Sequence, residues 1–578
     1  MATLYTREKN AQILISLLKA HGIRFVIASP GNTNTSFISS IQNDSSFTVF
    51  SAVDERSAAY MACGLAAEAR EAVVISCTGA TASRNYLPAM TEAYYRKLPI
   101  LAVTSSQVVS KVAHHSPQLI DRSTLPNDVA RLSVHLPVVK DEEDRWSCEV
   151  KVNTALLELH RGGGGPVHVN LPTIYDPHFD VATLPQCRSI ERITEKDTFP
   201  QIEGRVALFV GSHEPWSREL VETVDAFCAT NDAVVFCDHT SGYSGKYRVL
   251  YALVAGQEQH DFSEDRPDIL IHMGEISGDY YSLGISAKRE VWRVSSDGVL
   301  RDTFRRLKYV FEMPEIEFFR RYSEKEKAGR TNYLEECQNR LSTLRSKLPR
   351  LPLSNIWVAS VLAHKLPTAA TVHFGILNSL RSWNFFELPE GVSSNCNVGG
   401  FGIDGGVSAL LGASLYARDR LFFMVTGDLA FFYDLNALGN RHIAGNLRIL
   451  LINNGKGTEF RQYNHHAARF GDDADKFIAA AGHFGRRSRT LVKHFAIDLG
   501  FDYRSADDKA AVEASIEWFT TPEVTQKPLL FEVFTESADE STALHSVLSI
   551  ERNPKVRAAK YVAGFLGENG RRIARKLR

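Results

Sequence analysis

Apolar positions recur along this chain in two rhythms. In "MATLYTREKNAQILISLLKAHGI" the residues Ile13, Leu14, Leu17 and Leu18 share one face at helical spacing, which predicts a helix over 6–21. The run Phe25-Val-Ile-Ala28 follows and reads as a short buried strand, 24–28. The alternation continues with helix 55–70 and strand 72–77, then helix 84–95 and strand 99–105, and it closes on the apolar strand in "GPVHVNLP" (165–172). As a set these strands are largely apolar and show no clean alternation. Such strands are covered on both faces, and helices between them indicate a mostly parallel sheet.

Residues 173–203 lose the pattern and read as an irregular linker. A second block carries strands at 205–211, 233–238, 269–274 and 290–295, and a charged helical stretch over 314–347 leads to a third. That block has strands near 371–376, 421–428, 447–454 and 528–534. The expected fold class is α/β, with mostly parallel sheets flanked by helices in three domains: 1–185, 200–345 and 351–578.

Composition narrows the function classes. Lys plus Arg is 66 and Asp plus Glu is 67, a net charge of −1. That balance argues against a role on nucleic acid or at a membrane surface. Eight scattered cysteines, with no CxxC pair, suggest neither a zinc cage nor a disulfide framework. The N-terminus does not resemble a signal peptide, and no apolar run reaches bilayer length, so a cytoplasmic protein is expected. The basic tail "GRRIARKLR" (570–578) reads as a solvated helix end.

Candidate chemistry concentrates in "VTGDLAFFYDLNALGNRHIAGNLRILLINNGKGTEF" (425–460). One strand ends in Gly427-Asp428 and the next in Asn453-Asn454. Both ends lie at the C-terminal edge of neighbouring parallel strands, where open α/β sheets bind ligands. A carboxylate, an amide oxygen and a nearby main-chain carbonyl suit a hard cation such as Mg²⁺, with a diphosphate completing its shell. By contrast, "FVIASPGNTNTSF" (25–37) has the outline of a phosphate loop but lies some 400 residues upstream of that cluster.

The Gly-Asp and Asn-Asn pairs resemble the motif of thiamine-diphosphate-dependent enzymes. "DERSAAYMACGLAAEA" (54–69) is similar to that family's Glu-bearing helix, and "VNLP" (169–172) to the closing strand of its pyrimidine-binding domain. "TGATASRNYLPAMTEAYY" (78–95), "GGFGIDGGVSALLGA" (399–413) and "GDLAFFYDLNAL" (427–438) resemble the menaquinone-pathway synthase branch. That branch decarboxylates 2-oxoglutarate and adds the resulting unit to isochorismate. The resemblance implies pyrimidine, central and diphosphate domains, thiamine diphosphate and Mg²⁺ as cofactors, and a homodimer or homotetramer with active sites at the subunit interface. The partners it implies are a small 2-oxoacid and an acceptor.

The resemblance also implies roles for individual residues. Glu55 would hydrogen-bond the aminopyrimidine in a dry pocket that raises its pKa. Asp428, Asn454 and the Lys456 carbonyl would hold the metal. Ser379, Ile403, Gly427, Leu429, Gly457 and Phe460 would contact the cofactor. Gln118 would sit near the thiazolium, His114 and His115 could relay protons, and Glu459 could act as an acid or base. Arg461, His465 and His466 could reach the same pocket.

The substrate-reading positions depart from that branch. Asn32-Thr33-Asn34 stands where the branch has an arginine loop. Trp383 and Val398 occupy two further arginine positions, and "SGDYYS" (277–282) replaces a Lys-Arg pair. Guanidinium forks are natural carboxylate readers, so a different donor or acceptor is expected. Asn32, Thr33, Asn34, Arg84 and Arg381 are the candidate substrate contacts, with Lys111 and Arg122 as further cations. The expected function is a decarboxylating carboligase. A simple 2-oxoacid decarboxylase, an authentic menaquinone-pathway synthase and a non-catalytic homologue are the alternatives.

Overall fold

A computed structural model describes residues 3–122, 124–323, 332–483 and 488–552. The basic tail 570–578 lies outside the described residues. The chain forms two compact units. One runs to Thr194 and includes Gly298–Val310; the other comprises Glu195–Asp297 and the chain from Phe311 onward.

The first unit is built on a six-stranded parallel sheet. Its strand order is Thr48–Ser51, Phe25–Ala28, Val73–Thr78, Ile100–Ser106, Val167–Pro172 and Leu132–His135. The central strands are buried along their length because helices cover both faces. One side packs on Lys9–Ala20 through Leu14, Leu17 and Leu18, and on Glu142–Glu158 through Val152 and Leu156. The other packs on Glu55–Ala69 and Leu87–Arg96 through Ala59, Ala62, Ala89 and Ala93. Small residues there let the helices lie close to the sheet.

The 173–203 stretch is not wholly irregular. It carries strands Phe179–Val181 and Glu191–Ile193, and the former pairs antiparallel with Tyr5–Thr6. Three-residue strands are too short for an alternation to show. The returning segment closes on the same unit: Asp302 receives a fork from Arg188, at 3.1 and 2.7 Å, and the Trp146 indole N–H at 2.8 Å.

The second unit holds two sheets. In one, the parallel strands Arg248–Leu250, Val234–Cys237, Val206–Val210, Ile269–Met273 and Glu290–Ser295 are neighbours in that order. The other is a six-stranded parallel sheet ordered Ser393–Cys396, Thr371–Phe374, Phe422–Gly427, Leu447–Asn453, Leu529–Phe534 and Asp502–Ala506. The predicted helical stretch 314–347 contains Glu315–Ser323 and Tyr333–Ser346, with part of the intervening chain outside the described residues. All eight cysteines are free thiols.

Candidate active site

The C-terminal edge of the third sheet carries a cleft of about 170 Å³. Gly427 pairs in register with Ile452, so Asp428 and Asn454 leave adjacent strands within one residue of the same level. Asp428 opens the short helix Asp428–Tyr433 and is buried, whereas Asn454 is partly exposed. Every predicted cofactor or metal residue of this unit lies in the cleft wall: Ser379, Ile403, Gly427, Asp428, Leu429, Asn454, Lys456, Gly457 and Phe460. Glu459 joins them there.

The donor set fits a magnesium diphosphate. It offers one carboxylate, one side-chain amide and one main-chain carbonyl, all hard oxygens. Among the described residues no three His, Cys, Asp or Glu side chains gather as metal ligands. A Cβ on Gly427 would meet open space, which leaves the backbone there accessible to a phosphate.

Neighbours that the sequence did not single out hold these groups. The Thr458 hydroxyl donates to Asn454 Oδ1 at 2.7 Å, and the Thr458 N–H donates to the Lys456 carbonyl at 2.8 Å. Asn453 donates to Glu532 Oε1 at 2.6 Å, and Tyr503 donates to Glu532 Oε2 at 2.7 Å, anchoring the strand below. Asp434 accepts from the Ser408 N–H at 2.6 Å and from its hydroxyl at 2.5 Å. It thereby ties "YDLNAL" to the first turn of Gly406–Tyr416, the helix after Ile403. Glu540 also lines the cleft. Its carboxyl accepts the Asn355 N–H, 3.0 Å from each oxygen, and the Thr535 hydroxyl at 2.7 Å. Burial pushes its pKa up to about 7 against these hydrogen bonds.

Several candidates are engaged elsewhere. Glu459 Oε2 is 2.7 Å from Arg381 Nη2. Arg461 pairs with Asp472 and Asp475, and Lys456 Nζ also reaches Asp475 at 2.6 Å, so both cations brace the loop. His465 accepts the Ala467 N–H at 3.1 Å and stacks on His466. Trp383 is fully buried and its indole donates to Asn355, so it fills core.

In the first unit Asp54 caps the helix Glu55–Ala69 by accepting the Ser57 N–H at 3.2 Å, which sets Glu55 in the first turn. Glu55 is half-buried in this chain, and the Asn85 amide donates to its Oε2 at 3.3 Å. His114, His115 and Gln118 are exposed on one loop, where Ala113, His115 and Gln118 have φ of 67°, 55° and 60°.

The loop after Phe25–Ala28 is packed rather than open. A Cβ on Gly31 would lie 1.8 Å from Thr78 Cγ2, so glycine lets the loop cross the end of the next strand. Thr33 and Asn34 turn inward, donating to the Ser105 carbonyl at 2.6 Å and the Ser29 carbonyl at 3.0 Å. Of the three loop candidates only Asn32 is exposed. Its neighbours' hydrogen-bonding groups go to the backbone, where the sequence reading had them facing substrate.

Two further cations sit nearby. Arg84 donates to the Asp121 carbonyl at 2.9 Å, and the buried Arg122 donates to the Thr104 hydroxyl. Burial, with a lesser push from Arg84, brings the Arg122 pKa down to about 10. His168 bridges Thr104 and Ser133 below them. Burial and these cations hold its pKa down to about 3.

Comparison with known proteins agrees with this geometry. Residues 8–125 match the family model described as thiamine pyrophosphate enzyme, N-terminal TPP binding domain. The chain is 30% identical over 576 residues to a 2-succinyl-5-enolpyruvyl-6-hydroxy-3-cyclohexene-1-carboxylate synthase of Phocaeicola vulgatus, covering 94% of this chain and 98% of the relative. Synthases of the same name from Bacteroides fragilis and Bacteroides thetaiotaomicron are 28% and 29% identical at the same coverage. This chain therefore belongs to the thiamine pyrophosphate enzyme family, near the 2-succinyl-5-enolpyruvyl-6-hydroxy-3-cyclohexene-1-carboxylate synthases.

Proposed function

We propose that this protein uses thiamine diphosphate and Mg²⁺ to decarboxylate a 2-oxoacid and to pass the resulting acyl-anion unit to an acceptor, with substrates that differ from those of the synthases. The observation that carries the reading is the cleft whose wall includes Asp428, Asn454 and Lys456. Those three groups would hold the metal, and through it the diphosphate. Ile403 and Leu429 supply apolar walls that exclude water, while Ser379 offers a hydroxyl toward the phosphates. Bound thiamine diphosphate supplies the electron sink that decarboxylation needs. Glu55 would share a proton with the cofactor's aminopyrimidine, and Asn85 would orient that carboxylate.

The working unit in this proposal is a homo-oligomer whose active sites draw on two copies. Exposed apolar side chains near Glu55 support it: Phe50, Tyr60, Met61 and Val53, the last 81% exposed. A different donor or acceptor is supported by Thr33 and Trp383, which are committed to internal packing at positions where the resembling branch has an arginine.

A screen of 2-oxoacids for CO₂ release, with and without aldehyde or enoate acceptors, tests the reading. Acceptor-dependent C–C bond formation is expected. Rapid aldehyde release without an acceptor would make the protein a plain decarboxylase. Glu55→Gln should lower turnover by about a hundredfold or more at unchanged Tm, since general acid–base groups contribute on that order. Full activity in that variant would remove the assigned mechanism.

A further inference from the structure

Glu459 forms part of the cleft wall, and Arg381 stands behind it rather than among the lining residues. Their Oε2 and Nη2 atoms are 2.7 Å apart, with side chains 21% and 12% exposed. The Asn378 amide, turned so that its nitrogen faces Glu459, donates to Oε2 at 3.0 Å, while its oxygen accepts the Glu459 N–H at 3.0 Å. Arg381 and Asn378 both belong to Asn378–Trp383, and Glu459 lies in the turn Thr458–Arg461. The carboxylate is thus clamped from two sides by one short helix.

This geometry has an electrostatic consequence. Arg381 is already paired, and its partner Glu459 lines the cleft; the cation of the wall itself, Lys456, is paired with Asp475. A ligand bringing a second carboxylate would meet Glu459 before it met Arg381, and juxtaposed like charges in a partly desolvated pocket are strongly unfavourable. A hydroxyl, an amide or an alkyl end would meet no such barrier.

We infer that Glu459 sets the charge of the donor. By holding Arg381, it restricts the cleft to 2-oxoacids whose only carboxylate is the one lost as CO₂, and it excludes dicarboxylic 2-oxoacids. This rests on reading the cleft as a 2-oxoacid site. Within that reading Glu459 and Arg381 work as one specificity-determining pair. Its substrate-facing member is acidic, although the arginine alone would suggest the opposite preference.

Two measurements on the cofactor-loaded enzyme test the inference. In the first, calorimetry compares binding of glutarate, an inert dicarboxylate, and butyrate, an inert monocarboxylate. Glu459→Gln should bind glutarate about tenfold more tightly than the wild type, with butyrate changed less than about twofold. The double variant with Arg381→Met should lose that gain. In the second, the ratio of kcat/KM for 2-oxoglutarate over pyruvate should rise in parallel. An unchanged glutarate affinity in Glu459→Gln, a gain that persists without Arg381, or a wild type that prefers 2-oxoglutarate overturns the inference. If the wild type turns over no 2-oxoacid, the proposed function falls, and the glutarate comparison alone decides whether the pair filters charge.

Discussion

Replacing Glu540 by Gln should remove a pH dependence from the stability of the second unit. The Glu540 carboxyl is buried beside the cleft, and its pKa rises from 4.5 to about 7. Between those values the folded chain holds a proton that the unfolded chain has released. Stability therefore falls as pH rises through this window, and the full cost is present above pH 7. A shift of that size corresponds to at most about 3.5 kcal/mol, since each pKa unit is about 1.4 kcal/mol. Gln is neutral in both states and keeps an oxygen for the Asn355 N–H and the Thr535 hydroxyl. At pH 5 the two proteins should melt within about 1 kcal/mol of each other, and at pH 8 the variant should be the more stable by about 2–3 kcal/mol. That difference is worth several degrees of Tm. Scanning calorimetry at half-unit steps from pH 5 to 8.5 reads the gap directly. A gap constant across the series, or a variant less stable at pH 8, would refute the assignment of a buried, protonated carboxyl. Because Glu540 lines the same cleft, wild-type affinity for thiamine diphosphate should also weaken more steeply above pH 7 than that of the variant.

Three other perturbations probe the supports of the site. Thr458→Val removes the hydroxyl that steadies Asn454 Oδ1, so the Mg²⁺ concentration for half-maximal cofactor binding should rise about tenfold or more, read by fluorescence titration. Arg448 is fully buried in the strand Leu447–Asn453 and donates to the carbonyls of Phe519, Thr521 and Glu523. Arg448→Met should cost about 3 kcal/mol or more, and Arg448→Lys should not restore it, because one ammonium cannot reproduce the fork. Asp434→Ala should cost about 1–2 kcal/mol through the lost cap on Ser408 and weaken cofactor binding with little change in KM for the 2-oxoacid; equal loss of both would argue against a role confined to the Ile403 loop.

The strands legible in the sequence were the central ones. Val73–Thr78, Ile100–Ser106, Phe422–Gly427 and Leu447–Asn453 are flanked on both sides and covered on both faces, so most of their residues are apolar. Most of the strands that the sequence does not announce are edges: Thr48–Ser51 and Leu132–His135 in the first sheet, Ser393–Cys396 and Asp502–Ala506 in the third, and Arg248–Leu250 in the second; Leu307–Glu312, which has a neighbour on each side, is an exception. Thr48–Ser51 and Ser393–Cys396 have no fully buried residue, which leaves the apolar pattern without a physical cause.

The candidates that line the cleft of the third sheet stand out in the sequence for a related reason. They leave the ends of central strands or neighbouring loops, and their residue types suit the proposed cation and diphosphate. The supports do not stand out. Thr458, Asp434 and Glu540 act through contacts made by tertiary folding, and Glu540 sits in "SADESTALHSVL", which reads as an ordinary solvated helix. Thr33 and Asn34 donate to backbone carbonyls, because small polar residues in a loop serve the backbone as readily as a ligand.

The chain's route through Asp302 bears on how this protein can be taken apart. The first unit is not one stretch of sequence, because Gly298–Val310 belongs to it although the preceding hundred or so residues do not. A fragment ended at Thr194 would leave Arg188 and the Trp146 indole without the carboxylate that holds both. The gene therefore has no single cut that yields two independent pieces. Swapping the amino-terminal portion with that of a relative would transplant a unit missing one wall, unless the short returning segment were exchanged with it.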